Sequence, residues 1–219
     1  MVGRVLRSLI HFFCNDNIFG NPKIHPSSFV FKDARIIGDV TICEEVIVAP
    51  GASIRADEQG PFFIEKGVNI QDGATIHAKE GSFVTFNGKQ YAVYIRSHSS
   101  ITHGALIHGP AFIGKKVCVN FDARVYNARI GDKCFIDMNA TVRNVTIPEG
   151  RYVAAHQLVE TQEVADNLPF VRREHLEFNC SVVDVNKKRL CKQHAERRRL
   201  RKNPFLKIYN YFSQKRITG

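Results

Sequence analysis

The sequence predicts a mainly β protein, a parallel β-helix of six-residue (hexapeptide) repeats with a C-terminal α-helix packed on the resulting prism. Two observations lead to this fold class. A branched apolar residue recurs every six positions through most of the chain, and a small or compact residue stands two positions before almost every one of them. The recurring residues are Ile24, Val30, Ile36, Ile42, Val48, Ile54, Ile64, Ile70, Ile76, Ile95, Ile101, Ile107, Ile113, Val119, Val125, Ile130, Ile136, Val142, Ile147 and Val153.

The six-residue period excludes the commoner elements. An amphipathic helix repeats about every 3.6 residues and a half-buried strand every two. Six residues fit one flat side of a triangular coil, made of a short strand and a corner, so that three sides complete a coil. Stacked coils bury a continuous aliphatic column and pair the backbone groups of neighbouring coils.

Two breaks interrupt the repeat. Ile54 and Ile64 are ten residues apart, and Ile76 and Ile95 are nineteen apart. Insertions in a repeat protein lie in surface loops, commonly on the functional face. We therefore expect the functional residues to lie near residues 55–63 and 78–94.

The pattern divides the chain into an N-terminal segment (1–19), a β-helix domain (20–157), a helical region (158–202) and a basic tail (203–219). The helical region is rich in Glu, Gln, Arg, Lys and Leu, and predicts a short helix near 160–167 and a longer one within 172–200. Residues 1–13 combine arginines with apolar residues and contain no acid. They predict a short amphipathic helix, with an organellar targeting segment as the alternative.

The net charge of +10 belongs to the C-terminal end. Twelve Lys and Arg residues and the single acid Glu196 follow position 186, which leaves nineteen basic and twenty acidic residues before it. Such a basic tail is either a solvated extension or a binding segment for an acidic protein or a nucleic acid. The six cysteines form no C-x-x-C pair, and no apolar run reaches the length of a membrane span. We predict a cytoplasmic protein that does not bind membranes.

Three histidines have a spacing that predicts a metal site. His77 and His108 each follow a repeat residue, and they stack in adjacent coils if thirteen of the residues between 78 and 94 are looped out. His103 lies near the preceding corner and points away from that pair. It can complete a site only in a neighbouring chain, so a homotrimer would hold three sites. Three imidazoles and an open position suit Zn2+, with Fe2+ or Co2+ as alternatives.

Several segments resemble known proteins. SIRADE (53–58), NIQDG (69–73), IH (76–77) and ITHGALIHG (101–109) resemble the γ-class carbonic anhydrases. QYAVYI (90–95), FDARVYNARIG (121–131) and IPEGRYV (147–153) are similar to one branch, the N-terminal domain of the carboxysome protein CcmM. The resemblance covers roughly residues 20–185 and implies a left-handed coil.

The resemblance also implies residue roles. The enzyme would hydrate CO2 reversibly to bicarbonate by a metal-bound hydroxide at the trimer interface, with His77, His103 and His108 as ligands. By the same resemblance, Gln71 would orient hydroxide or bicarbonate, Glu58 would assist proton transfer, and Glu80 would be an outer proton shuttle. Arg55 and Asp57 would form an ion pair near the interface, and Asp72 would support the same region. Cys180 and Cys191 would form a redox pair.

Two other functions use the same fold. One is a hexapeptide-repeat acyltransferase with a catalytic histidine and an acyl-CoA cleft. The other is a catalytically silent trimeric scaffold of the CcmM type. Fold alone does not choose among them. Three convergent histidines together with Gln71 favour the anhydrase.

Overall fold

The computed structural model describes residues 20–58 and 60–202. This part of the chain forms a parallel β-solenoid of about eight turns followed by a short helix and a long C-terminal helix, which confirms the predicted fold class. The strands fall into three stacks, here called faces A, B and C, and the chain visits them in that order in every coil. All strand pairs within the three faces are parallel.

Face A and face C share two long strands. β14 (Leu106–Ile113) and β16 (Arg124–Ile130) begin on face C and turn the corner onto face A, with a register shift between His108 and Ala111. The other strands of face A are β1 (Lys23–Ile24), β4 (Val40–Ile42), β7 (Phe62–Ile64), β12 (Val93–Ile95) and β19 (Thr146–Ile147). The other strands of face C are β3 (Arg35–Gly38), β6 (Ser53–Ala56), β9 (Thr75–Ala78), β18 (Thr141–Arg143) and β21 (Leu158–Val159).

Face B carries only short strands. They are β2 (Phe29–Val30), β5 (Ile47–Val48), β8 (Asn69–Ile70), β13 (Ser100–Ile101), β15 (Cys118–Val119), β17 (Phe135–Ile136) and β20 (Tyr152–Val153). β21 on face C lies just beyond position 157, where the sequence placed the end of the β-helix domain.

The repeat residues form the core. Ten isoleucines between Ile54 and Ile136 are completely buried, and the small residues two positions earlier line the same column. Each such isoleucine contributes about 1.5–3 kcal/mol through burial. Ile24 departs from the prediction, because its side chain is 42% exposed. It belongs to the first described coil, and no described coil stacks outside it.

The second insertion folds as an antiparallel hairpin of β10 (Val84–Phe86) and β11 (Lys89–Tyr91). It packs on face A, where the Phe86 ring contacts Tyr94 and Phe112 at centroid distances of 4.6 and 5.3 Å. The hairpin absorbs the extra residues without changing the register of the coils on either side, because β9 still pairs directly with β14.

Two helices follow the solenoid. α1 (Gln162–Asp166) is capped by Thr161, whose side chain accepts a hydrogen bond from the Val164 amide, and its Ala165 joins the core. α2 (Arg173–Lys202) runs along face B from the last coils to the first. His175 near its start stacks on Tyr152 at 4.3 Å, and Leu190 packs with Phe29 and Ile47.

The predicted N-terminal segment (1–19) and basic tail (203–219) lie outside the described residues, so the targeting alternative and the tail's partner stay predictions. Across residues 20–58 and 60–202, no helix combines the length and apolar character needed to cross a bilayer.

His98, at a corner beneath α2, is expected to give the stability of the fold a pH dependence. Burial, followed by the charges of Lys187 and Lys116, lowers the pKa of this histidine from its ordinary value of 6.5, whereas Glu45 opposes the shift and Lys66 adds to it. The folded state therefore favours the neutral ring. The free energy of unfolding should fall as the pH decreases below about 6.5, because the unfolded chain takes up the proton first.

Urea unfolding of the wild type at several pH values from 7.5 to about 5 tests this prediction. His98→Asn should reduce the pH dependence, since asparagine tolerates the positive φ of 59° at this position. Lys187→Gln should reduce it in part. An equal pH dependence in the wild type and in His98→Asn would contradict the assignment.

Candidate metal centre

His77 and His108 lie side by side on the outer surface of face C. Ile76 pairs with Ile107 inside the core, and His77 pairs with His108 one residue further on, pointing outward because side chains alternate along a strand. The two ring centroids are 5.4 Å apart and the ring planes meet at 74°. The two histidines therefore stack in adjacent coils, as their spacing predicts. Their imidazoles are close enough to bind one metal ion.

Acidic side chains from the first insertion surround His77. Its Nε2 atom lies 3.3 Å from Oδ1 of Asp57 and 3.4 Å from Oε1 of Glu58, and Nε of Arg55 lies 3.5 Å from Oδ2 of Asp57. Neither contact with His77 has hydrogen-bond geometry. Its buried Nε2 atom has no hydrogen-bond partner among the described residues, nor has Oδ1 of Asp57. A buried ring nitrogen without a partner fits a metal ligand.

His108 has its other nitrogen occupied. Nδ1 lies 3.0 Å from the carbonyl oxygen of Gly109. Since a carbonyl only accepts, Nδ1 is the donor, and in the neutral form of the ring this leaves Nε2 with its lone pair. Metal-binding histidines commonly have this arrangement, in which a backbone carbonyl fixes the tautomer of the ring.

His103 belongs to a second group, at the corner between β13 and β14. Its Nδ1 atom lies 3.2 Å from Oδ2 of Asp72, and its ring packs on Phe121 at 5.4 Å. Its side chain is about half exposed. Gln71 lines the same cleft, which α2 closes, and its Oε1 atom is buried without a hydrogen-bond partner in the described chain.

One chain does not complete the site. Among residues 20–58 and 60–202, no three His, Cys, Asp or Glu side chains are arranged to hold a metal ion together. The predicted ligands fall into the His77–His108 pair and the separate His103. The trimer that would unite them stays a prediction.

No protein-family model matches the chain. The chain is 37% identical over 177 residues to the carbonic anhydrase of Methanosarcina thermophila, which covers 75% of this chain and 72% of that protein. The chain belongs to the γ-class carbonic anhydrase family.

A second relative is a much longer protein than this chain. The carboxysome assembly protein CcmM of Nostoc sp. is 44% identical over 165 residues, which cover 75% of this chain. The chain spans only 30% of the length of that CcmM. Among solved structures, a hexapeptide transferase family protein from Anaplasma phagocytophilum gives a TM-score of 0.60 at 20% identity, covering 78% of this chain and 92% of that one. That likeness shows the fold alone.

One residue with a predicted γ-class role lies apart from the histidines. Glu80 is exposed in the turn before the hairpin, and within the described chain it makes neither a hydrogen bond nor an ion pair. Tyr126 was not among the site residues predicted from the sequence, yet its ring stacks on the His108 ring at a centroid distance of 4.9 Å. The available signal was its position, one coil of eighteen residues after His108.

The structure does not bring the two positions of the predicted redox pair together within one chain. Cys180 and Cys191 both lie in the continuous helix α2, and Cys180 is an exposed free cysteine. Eleven residues of helix span about 16 Å at 1.5 Å per residue. A disulfide requires Cα atoms less than about 7 Å apart. The unbroken helix therefore keeps these two cysteines of one chain from pairing.

Proposed function

We propose that this protein is a carbonic anhydrase that interconverts CO2 and bicarbonate at sites between the subunits of a homotrimer. The observation that carries the proposal is the in-register pair His77 and His108, with a buried Nε2 atom on His77 that has no hydrogen-bond partner in the described chain. The membership of the chain in the γ-class family supports the reaction.

The metal would be held by His77 and His108 of one subunit and the partner subunit's His103. All three are imidazoles, a ligand set that favours Zn2+ and also accepts Fe2+ or Co2+. The half-exposed His103 side chain and the lack of a three-ligand group within one described chain support a shared site. When bound there, the metal would lower the pKa of a coordinated water to about 7 and so supply a nucleophile at neutral pH.

The surrounding side chains supply proton transfer and orientation. Glu58 is half exposed and lies beside His77, so its carboxylate can take a proton from the site and release it to solvent. Glu80, further out and exposed, would extend this relay. Hydration of CO2 releases one proton per turnover, so a carboxylate with access to water serves the reaction.

Gln71 would orient the bicarbonate. Its buried Oε1 atom has no partner in the described chain and can accept a hydrogen bond from the bicarbonate hydroxyl group. Gln71 shares its cleft with His103, so it would act at the site that His103 completes. The Arg55–Asp57 ion pair would hold the first insertion against the neighbouring subunit, and Asp72 would orient the His103 ring.

Metal content and CO2 hydration, measured on the same trimer preparation, test the proposal. We expect one metal ion per chain and hydration well above the buffer rate. His108→Ala should lose the metal and reduce hydration by more than about 100-fold, because a ligand matters more than the groups that orient it. His25→Ala, which changes an exposed histidine at the first coils, is the matched control and should retain both.

A trimeric scaffold is the second candidate, favoured by the 44% identity with CcmM, a carboxysome assembly protein. A scaffold does not need catalysis. If the metal-loaded trimer hydrates CO2 no faster than His108→Ala, the enzyme proposal is wrong and the scaffold remains. The basic C-terminal region would then be the candidate segment for an acidic protein partner.

A further inference from the structure

Tyr126 occupies a defined place in the column of outward side chains on face C. Register pairs place His77, His108 and Tyr126 in successive coils. The Tyr126 ring lies 4.9 Å from the His108 ring, with the two planes 28° apart. Its side chain is 43% exposed, whereas Val125 beside it is fully buried in the core. The ring therefore contributes little to the core, and its aromatic contact is with His108.

The two contacts of His108 restrain different degrees of freedom. The hydrogen bond from Nδ1 to the Gly109 carbonyl oxygen selects which nitrogen is free. The stacked ring of Tyr126 restricts the plane of the imidazole. A stacked aromatic pair is worth about 0.5–1.5 kcal/mol beyond its burial. Without that stack, the imidazole would lose more rotational freedom when it binds a metal ion.

The same relation recurs at His103. Phe121 follows His103 by eighteen residues, as Tyr126 follows His108, and its ring lies 5.4 Å from the imidazole. Each of these two histidines therefore has an aromatic ring from the next coil beside it. Because an aromatic ring lies beside both predicted metal ligands, a role in the metal site is favoured over a packing contact without function.

We propose that Tyr126 is a positioning residue that holds the His108 imidazole in its metal-binding orientation. This inference rests on the proposed function, since it requires His108 to be a ligand. The aromatic ring carries the role, and the phenolic hydroxyl group is dispensable. Tyr126 acts through His108 and does not touch substrate.

The test is the affinity of metal-free trimers for Co2+, measured by titration against a competing chelator. Tyr126→Thr and Tyr126→Leu remove the flat ring and should weaken Co2+ binding about 10-fold, the range measured for groups that orient ligands. Tyr126→Phe should bind within about twofold of the wild type. Arg124→Thr changes an exposed residue two positions earlier on the same strand and should leave the affinity unchanged.

The outcomes separate this inference from the proposed function. If the wild type binds Co2+ and both Tyr126→Leu and Tyr126→Thr bind it equally well, the positioning role is overturned and the proposed function stands. If the wild type binds no Co2+, both are overturned. Sedimentation of each metal-free variant checks that the trimer is intact, and unchanged unfolding temperatures together with weakened Co2+ binding support the positioning role. Tyr126→Leu keeps an apolar side chain and so maintains the test if threonine disturbs assembly.

Discussion

Subunits that carry His103→Ala, mixed with subunits that carry His108→Ala, are expected to recover CO2 hydration that neither variant shows alone. In the proposed trimer, each site takes His77 and His108 from one chain and the partner subunit's His103. A mixed trimer therefore contains sites where an intact His77–His108 pair meets an intact His103. Random assembly of equal amounts makes about one site in four complete, because each of the two contributions is intact with even odds.

The measurement is hydration and metal content after the two variants are unfolded together and refolded, or expressed together. We expect about a quarter of the wild-type metal and activity. Each variant treated alone should give almost none. A mixture of wild-type subunits with the double variant His103→Ala/His108→Ala should also give about a quarter, which controls for the efficiency of mixing.

A site built within one chain predicts a different result. Both single variants would then be defective in every subunit, and mixing them would restore nothing. Absence of recovery, with the double-variant control at about half of the wild-type level as a site within one chain requires, would contradict the shared site. The structure favours recovery, because His103 lies at a corner and groups with Gln71 and Asp72, apart from the His77–His108 pair.

The features that follow from the repeat were predictable from the sequence. Ile76 and Ile107 occupy equivalent positions in their coils, and a fixed coil length forces the residues that follow them to stack. That rule placed His108 beside His77 even across a nineteen-residue gap. It works because backbone pairing between coils allows no slip without moving every side chain to the other face.

Features outside the repeat were harder to predict. Glu80 lies where the chain leaves the coil for the hairpin, and no periodicity fixes the direction of such a side chain. The continuity of α2 through Cys180 and Cys191 depends on its packing along the whole of face B, from His175 to Leu190. Ile24 follows the repeat, but it is buried only if another coil covers it. Periodicity thus specifies which residues of neighbouring coils lie side by side, but not the conformation of the segments outside the repeat.

Ile107→Ala is expected to lower both the stability of the fold and its affinity for metal. Ile107 is fully buried, pairs with Ile76 and Val125 in the neighbouring coils, and directly precedes His108. Truncating a buried isoleucine to alanine costs about 2–5 kcal/mol, since the cavity collapses only in part. Relaxation of β14 into that cavity should also move His108 relative to His77.

The matched control is Ile136→Ala, which creates the same cavity beneath face B. Ile136 is equally buried and pairs with Val119 and Val153, in strands that carry none of the three histidines. Both variants should lose similar stability in urea unfolding at a fixed protein concentration. Only Ile107→Ala should weaken Co2+ binding, because a ligand pair must keep its geometry to within about 0.5 Å. Equal losses of Co2+ affinity in the two variants would mean that the core supports the site through overall stability and not through the position of His108.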